Sequence, residues 1–215
     1  VLHSSSVPLV GPVGDAVTGF LRHYPGVTAE FDQKASELQL EAVANGDADI
    51  GLLRLPVLRG HLPGVRLEAV WSESLCLAVP EQHRLAGREV ISVAELQDEP
   101  FVFRVHRDRG GLSHAVLALC QAQGFVPRTA QAMSRKTTLL SLIAGGFGIS
   151  LVPEGMRAIS PPGVVFIRLV ESAQSQIALA IRDGLAEDDL PRRALAWLQE
   201  YAQGTSGWLE KGIQK

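Results

Sequence analysis

Cysteine is scarce in this chain of 215 residues: only Cys76 and Cys120 occur, each inside an apolar run, SLCLAV and VLALCQA. Both read as buried free thiols, which fits a reducing cytoplasm. Basic charge is short as well. Twenty Lys and Arg face 23 Asp and Glu, for a net charge of −3 and a pI near 6.1. That balance excludes a stand-alone nucleic-acid binder, and a strongly acidic solvating tail is equally absent. No apolar stretch approaches the roughly 18 residues of a membrane span, and no basic-then-apolar leader opens the chain. Val1 already sits in a strand-like segment, so either a leader has been removed or the chain is a fragment of something longer.

Catalytic signatures are missing too. The six histidines, His3, His23, His61, His83, His106 and His114, form no HExxH, no i/i+4 pair and no cluster with carboxylates, so no metal site is expected. There is no GxSxG elbow and no P-loop. The glycines of GGFGIS (145–150) end a helix and open a strand, the reverse of a dinucleotide fingerprint. Ser4, Ser5 and Ser6 have no base near them in sequence, so an activated nucleophile has no support. The expectation is a protein that is not an enzyme and carries no cofactor.

What is present is an ordinary globular composition: 46% hydrophobic and 20% charged residues, 21 Gly and 12 Pro. This excludes a disordered tail, a collagen-like rod and a coiled coil. The length suits one large domain or two small ones. VLHSSS (1–6) predicts a strand, and Val13, Val17, Phe20, Leu21 and Tyr24 mark one face of a helix over 11–24, stopped by Pro25-Gly26. VTAEF (27–31) predicts a second strand. Residues 36–45 read as a helix closed by Asn45-Gly46, and DIGLL (49–53) as a buried strand of the parallel type. VRLEAV (65–70) and SLCLAV (74–79) read as two more strands.

The plan then repeats. FVFRV (101–105) is a strand, and Leu112, Val116, Leu119 and Cys120 form a helix stripe ended by Gly124. Residues 128–132 are extended, 135–145 helical, and GISLV (148–152) a buried strand before Pro153. A shift of 100 residues aligns Gly11 with Gly111, Leu40 with Leu140, Ala44 with Ala144 and Gly46 with Gly146. Strand–helix–strand units of this kind make parallel sheets covered by helices. VVFIRL (164–169) and QIALAI (176–181) are strands, and 190–201 is a helix with Leu190, Ala194, Trp197, Leu198 and Tyr201 on one face. These last residues are too few for a third domain and are expected to pack back on the first lobe. The reading is an α/β protein of two Rossmann-like lobes joined by two crossover strands: lobe I from 1–74 and 176–215, lobe II from 75–175. Such a clamshell closes on a ligand in the cleft between its lobes.

In α/β lobes, ligands bind outside the carboxyl ends of strands, against helix N-termini. Ser5 and Ser6 follow the first strand. Ser36 starts the second helix, where its hydroxyl can cap, and Arg54 follows DIGLL, where it can offer a planar fork to a carboxylate. From the second lobe, Gly110-Gly111 can present bare amides, Leu112 an apolar wall, and Ser134 is the counterpart of Ser36 under the 100-residue shift. Arg104, His106, Arg107 and Arg109 precede the glycine pair, either steering an anion or forming a solvated loop. Ser36 serving only as a cap and Arg54 pairing with a surface acid are the plain alternatives.

The order of motifs resembles the effector-binding (regulatory) domain of LysR-type transcriptional regulators. The resemblance rests on FLRHYPGVTAEF, SELQLEAVANGDADIGLL, LCLAVPEQHRLAGREVISVAELQDEPFV, HAVLALCQAQGFVP and LLSLIAGGFGISLVPEGM, which together span roughly residues 2–203. It implies a periplasmic-binding-protein-like fold of type 2 and a small, carboxylate-bearing inducer. In the branch that senses aromatic-degradation intermediates, contacts come from positions matching Ser5 or Ser6, Ser36, Arg54, Gly110 and Leu112. Ser36 stands where that branch has threonine, and Gly110 and Leu112 replace a proline and a phenylalanine. His3 departs from the common glycine of the first strand. The resemblance further implies a cytoplasmic homodimer or homotetramer with no membrane partner. It would reach promoter DNA only through an N-terminal winged helix-turn-helix that this chain does not contain. A periplasmic solute-binding protein of a transport system is the alternative on the same fold.

Overall fold

The computed structural model describes residues 2–4, 11–58, 62–103, 110–132 and 136–205. Two compact units emerge. Unit 1 takes the described residues up to Arg54, those from 62 to Trp71 and those from Gln176 onward; unit 2 takes Leu55–Leu58 and Ser72–Ser175.

Unit 1 begins with strand β1 (Leu2–Ser4), helix α1 (Gly11–His23), β2 (Phe31–Gln33), α2 (Ser36–Asn45) and β3 (Ile50–Arg54). Strand β4 (Val65–Pro80) leads from unit 1 into unit 2, and β10 (Gln174–Arg182) leads back. The sheet order of this unit is β2-β1-β3-β10, with β1 parallel to β2 and β3, and β10 antiparallel to β3. All five residues of β3 are buried. On one face Ile50, Leu52, Ile177, Leu179 and Ile181 pack against Ala16, Val17 and Phe20 of α1 and against Ala194, Leu195 and Leu198 of the last helix, α5 (Leu190–Thr205). That α1–α5 contact is tight because position 19 is glycine: a Cβ there would lie 3.3 Å from the Trp197 ring. The indole Nε1 of Trp197 donates to the Ala16 carbonyl at 2.9 Å, and Phe20 meets its ring edge-on at 6.1 Å.

Unit 2 is built on β4, flanked by β8 (Ser150–Pro153) and β9 (Val164–Leu169), both antiparallel to it, with β5 (Val90–Ile91) parallel to β9. Strands β6 (Pro100–Phe103) and β7 (Arg128–Ala132) form a parallel pair. That pair is tied on by Ile149, whose amide donates to the Pro100 carbonyl and whose carbonyl accepts from Val102, both at 2.8 Å. Alternation along β4 sorts its side chains to two faces. Leu77 and Val79 join Val116 and Cys120 of α3 (Leu112–Ala122), while Cys76 and Ala78 join Leu139, Leu140 and Ile143 of α4 (Lys136–Ala144).

The 100-residue repeat is physical. Helices α2 and α4 start at 36 and 136, and strands β3 and β8 at 50 and 150. Gly46 and Gly146 end their helices in the left-handed region at φ 82° and 78°, a conformation open to glycine without a Cβ penalty. Their amides donate to the Val43 and Ile143 carbonyls, and the residues after them, Asp47 and Phe147, donate to Ala42 and Leu142.

Several expectations change. Apart from the parallel β6–β7 pair, the sheet strands are mixed in direction, because β10, β8 and β9 run against their neighbours. The two strands expected at 65–70 and 74–79 are one strand of 16 residues. The second strand begins only at Phe31. Val27, Thr28 and Ala29, expected within it, instead line an apolar groove with Phe20, Leu190 and Leu198. The strand expected from Gly148 begins at Ser150, since Gly148 itself has φ 146°.

Candidate functional site

The carboxyl ends of β1 and β3 lie side by side in unit 1, since Ser4 pairs with Leu52. Arg54 is the last residue of β3 rather than the residue after it, and it sits opposite Ile177 of β10. It is fully buried, the bulkiest such side chain in the chain's described residues. A guanidinium stays charged under all ordinary conditions and carries five donors in a fixed fork, so a buried one must be matched by acceptors. Arg54 is engaged in the fold; with five donors it can hold a protein partner and a ligand together. The sequence placed this arginine at a strand end, and the structure adds its burial.

Ser36 is the first residue of α2 and is half-buried. It is not the cap. That position falls to Ala35 (φ −62°, ψ 151°), whose side chain has no oxygen, so the donors of the first turn receive no side-chain cap. The hydroxyl of Ser36 therefore stands inside the helix start instead of closing it. Just ahead, the exposed Lys34 Nζ lies 3.5 Å from Asp32 Oδ2.

One residue escaped the sequence reading. Gln39 is completely buried on the face of α2 that also buries Leu40, Ala42 and Val43. Its Nε2 donates to the Lys34 carbonyl at 2.9 Å, and its Oε1 has no hydrogen-bond partner among the described residues. Two signals could have exposed it: a lone amide within an apolar helix stripe, and a glycine, Gly51, within the apolar run of β3.

Gly110 and Leu112 lie in unit 2. Gly111 precedes α3 at φ 71°, and its amide donates to the Pro56 carbonyl at 2.6 Å. A Cβ at Gly110 would fall 1.8 Å from that same carbonyl oxygen, so glycine there is required by the approach of the 55–58 segment. Leu112 is half-buried and packs against the unit's core. Ser5, Ser6 and Ser134 lie outside the described residues, as do Arg104, His106, Arg107 and Arg109. The structure thus brings Arg54, Ser36 and the end of β1 into one unit, and Gly110 and Leu112 into the other.

Neither cysteine is poised as a nucleophile, because the thiolate is the reactive form. Burial pushes the Cys76 thiol up to about 12 and the Cys120 thiol up to about 11. Among the described residues no group of three or more His, Cys, Asp or Glu side chains could hold a metal ion. No described helix is long and apolar enough to cross a membrane.

Residues 3–203 match the family model described as LysR substrate binding domain. The chain is 26% identical over 192 residues to the HTH-type transcriptional regulator ShiR of Corynebacterium glutamicum, covering 83% of this chain and 62% of ShiR, so it spans less than two thirds of that relative. Among solved structures, the effector-binding domain of a BenM variant superposes with a TM-score of 0.81 at 21% identity, over 94% of each chain. The BenM effector-binding domain with its effector benzoate superposes at 0.78 and 21%, over 100% of this chain and 93% of that one. These likenesses establish the periplasmic-binding-protein-like fold of type 2, and the regulator relatives favour regulation over the transport alternative.

Proposed function

Because the chain belongs to the family of LysR substrate-binding domains, we propose that its effector is a small organic acid whose carboxylate is held by Arg54 at the end of β3. The placement of Arg54 at the carboxyl end of β3, beside the end of β1, carries this reading. A guanidinium at the carboxyl end of a central strand is a strong, directional partner for a carboxylate. Ser36, at the start of α2 in the same unit, supplies a hydroxyl beside the positive end of a helix dipole. Leu112, which begins α3 in the other unit, and Gly110, two residues ahead of it, are proposed to contact the part of the effector away from its carboxylate. Ser5, Ser6 and Ser134 complete the proposed set by sequence position.

The role is sensing rather than catalysis: the effector shifts a conformational equilibrium by its differential affinity for the states, and no more. In the intact regulator the readout is promoter DNA, reached through a helix-turn-helix outside this chain. Assembly as a homodimer or homotetramer in the cytoplasm belongs to the same proposal.

A thermal-shift screen of small aromatic and aliphatic acids tests it, with benzoate, the named effector of the BenM domain, as the first probe. A ligand at about 100 times its Kd adds about 2.7 kcal/mol of stability, a visible rise in melting temperature. Since Arg54 is buried, Arg54→Met, which keeps length and packing, is the better variant than truncation to alanine. It is expected to lower affinity for the acid by roughly 10- to 100-fold, the worth of a charged hydrogen bond of about 1.5–3 kcal/mol. Unchanged calorimetric affinity in a folded Arg54→Met chain removes Arg54 from the site.

A further inference from the structure

We propose that Gln39 is a positioning residue of the effector site, fixing the first turn of α2 on which Ser36 stands. The inference rests on the reading of that helix start as part of the site.

Gln39 grips the start of its own helix twice. Its backbone amide donates to the Ala35 carbonyl at 3.0 Å, and its side-chain Nε2 donates to the preceding carbonyl, that of Lys34, at 2.9 Å. Ala35 supplies no side-chain cap, so the usual device that fixes a helix start is missing here. Gln39 does not cap the donors of the first turn; it ties the carbonyl just ahead of the helix to the helix body, holding the residues that lead into Ser36.

The other half of the amide is the telling part. Oε1 is buried without a partner among the described residues and is pressed towards β3, where a Cβ on Gly51 would come within 3.1 Å of it. A buried carbonyl oxygen without a donor costs stability, whereas an apolar side chain of the same shape would not. Packing of α2 on the sheet therefore gives no reason for an amide. The one thing Gln39 does that leucine or methionine cannot is hold the Lys34 carbonyl. The amide is thus matched to the geometry of the helix start, where the proposed ligand contacts lie, and not to the stability of the fold.

Hydrogen–deuterium exchange on the free chain tests this without any ligand. In Gln39→Met, protection of the amides at positions 39 and 40 is expected to fall about fivefold, the worth of one net hydrogen bond, with α5 unchanged. The melting temperature should stay within about 2 °C of the parent. Unchanged protection, or a melting temperature lowered by about 10 °C or more, overturns the proposal, the second outcome because it makes the residue merely structural. Should Gln39→Met fail to fold, Gln39→Glu at pH 5 decides: its protonated carboxyl can donate to the Lys34 carbonyl, so parent-like protection supports the proposal and its loss overturns it. With benzoate as the probe, Gln39→Met should lose more than half of the parent's thermal shift. A parent that gives no shift counts against the carboxylate reading alone, and the exchange result then decides the role of Gln39.

Discussion

A thiol records its surroundings in its acidity. Cys76 is held high chiefly by burial, with Arg157 pulling down and Glu154 and Glu73 pushing up, while Cys120 is raised by burial alone. Cys76 also points its sulfur at the Val152 carbonyl, 3.6 Å away. Both groups stay protonated at physiological pH, so neither suits a redox-sensing role. An aromatic disulfide reagent at pH 8 is expected to leave both untouched in the native chain and to titrate two thiols after unfolding; rapid native labelling would refute this. The pH dependence has a definite sign. A thiol whose folded pKa exceeds its unfolded value stabilises the fold below the unfolded value of 9.0, and that contribution is lost as pH rises towards about 11 to 12. Melting temperatures should accordingly fall across that window. At this scale, sequence shows residue type and spacing but not burial. It marks Arg54 as the end of an apolar run, yet its desolvation depends on β10, more than 120 positions later in the chain. Gln39 is invisible for the same reason, since its orphan oxygen exists only once α2 lies on β3.

Elements were legible where local and tertiary forces agree. The helix at 36–45 and the strand at 164–169 have the bounds expected of them; the helix does so because its buried stripe runs up to the left-handed Gly46 that ends it. Agreement fails where one element serves two environments. Strand β4 reads as two because its middle, Trp71 to Glu73, is only half-buried, while Leu75 to Val79 are fully buried. Residues 27–29 mimic a strand but instead line a groove together with residues of α1 and α5. Gly148, expected to open a strand, is instead a junction that only glycine fills. Its φ of 146° disfavours any side chain, and a Cβ would sit 2.4 Å from the Pro100 carbonyl oxygen, next to the bonds that tie β6 to the lead into β8. Gly148→Ala is expected to cost about 2–4 kcal/mol, measured as a lower urea midpoint with an unchanged slope. A loss under about 0.5 kcal/mol would mean that the strand junction relaxes freely.

At the scale of the whole molecule, the chain's path matters more than its length. Unit 1 is assembled from segments far apart in sequence, and its core is completed by Ala194, Leu195 and Leu198 of α5 together with Ile177, Leu179 and Ile181 of β10. Each leucine or isoleucine among them brings roughly 1.5–3 kcal/mol on burial. Three of them rival the 5–15 kcal/mol by which a native domain is stable. A chain ending at Asp189 is therefore expected to lose cooperative melting of unit 1 and to bind a dye of exposed apolar surface. Melting within a few degrees of the parent would show that α5 is dispensable. The same path sets a timetable at the ribosome. Unit 2 is fully specified once Ser175 has been made, whereas unit 1, though begun first, waits for β10 and α5. At about 5–20 residues per second, α1 and β3 spend seconds as nascent chain with their apolar faces uncovered. For that interval unit 1, not unit 2, is the incomplete one.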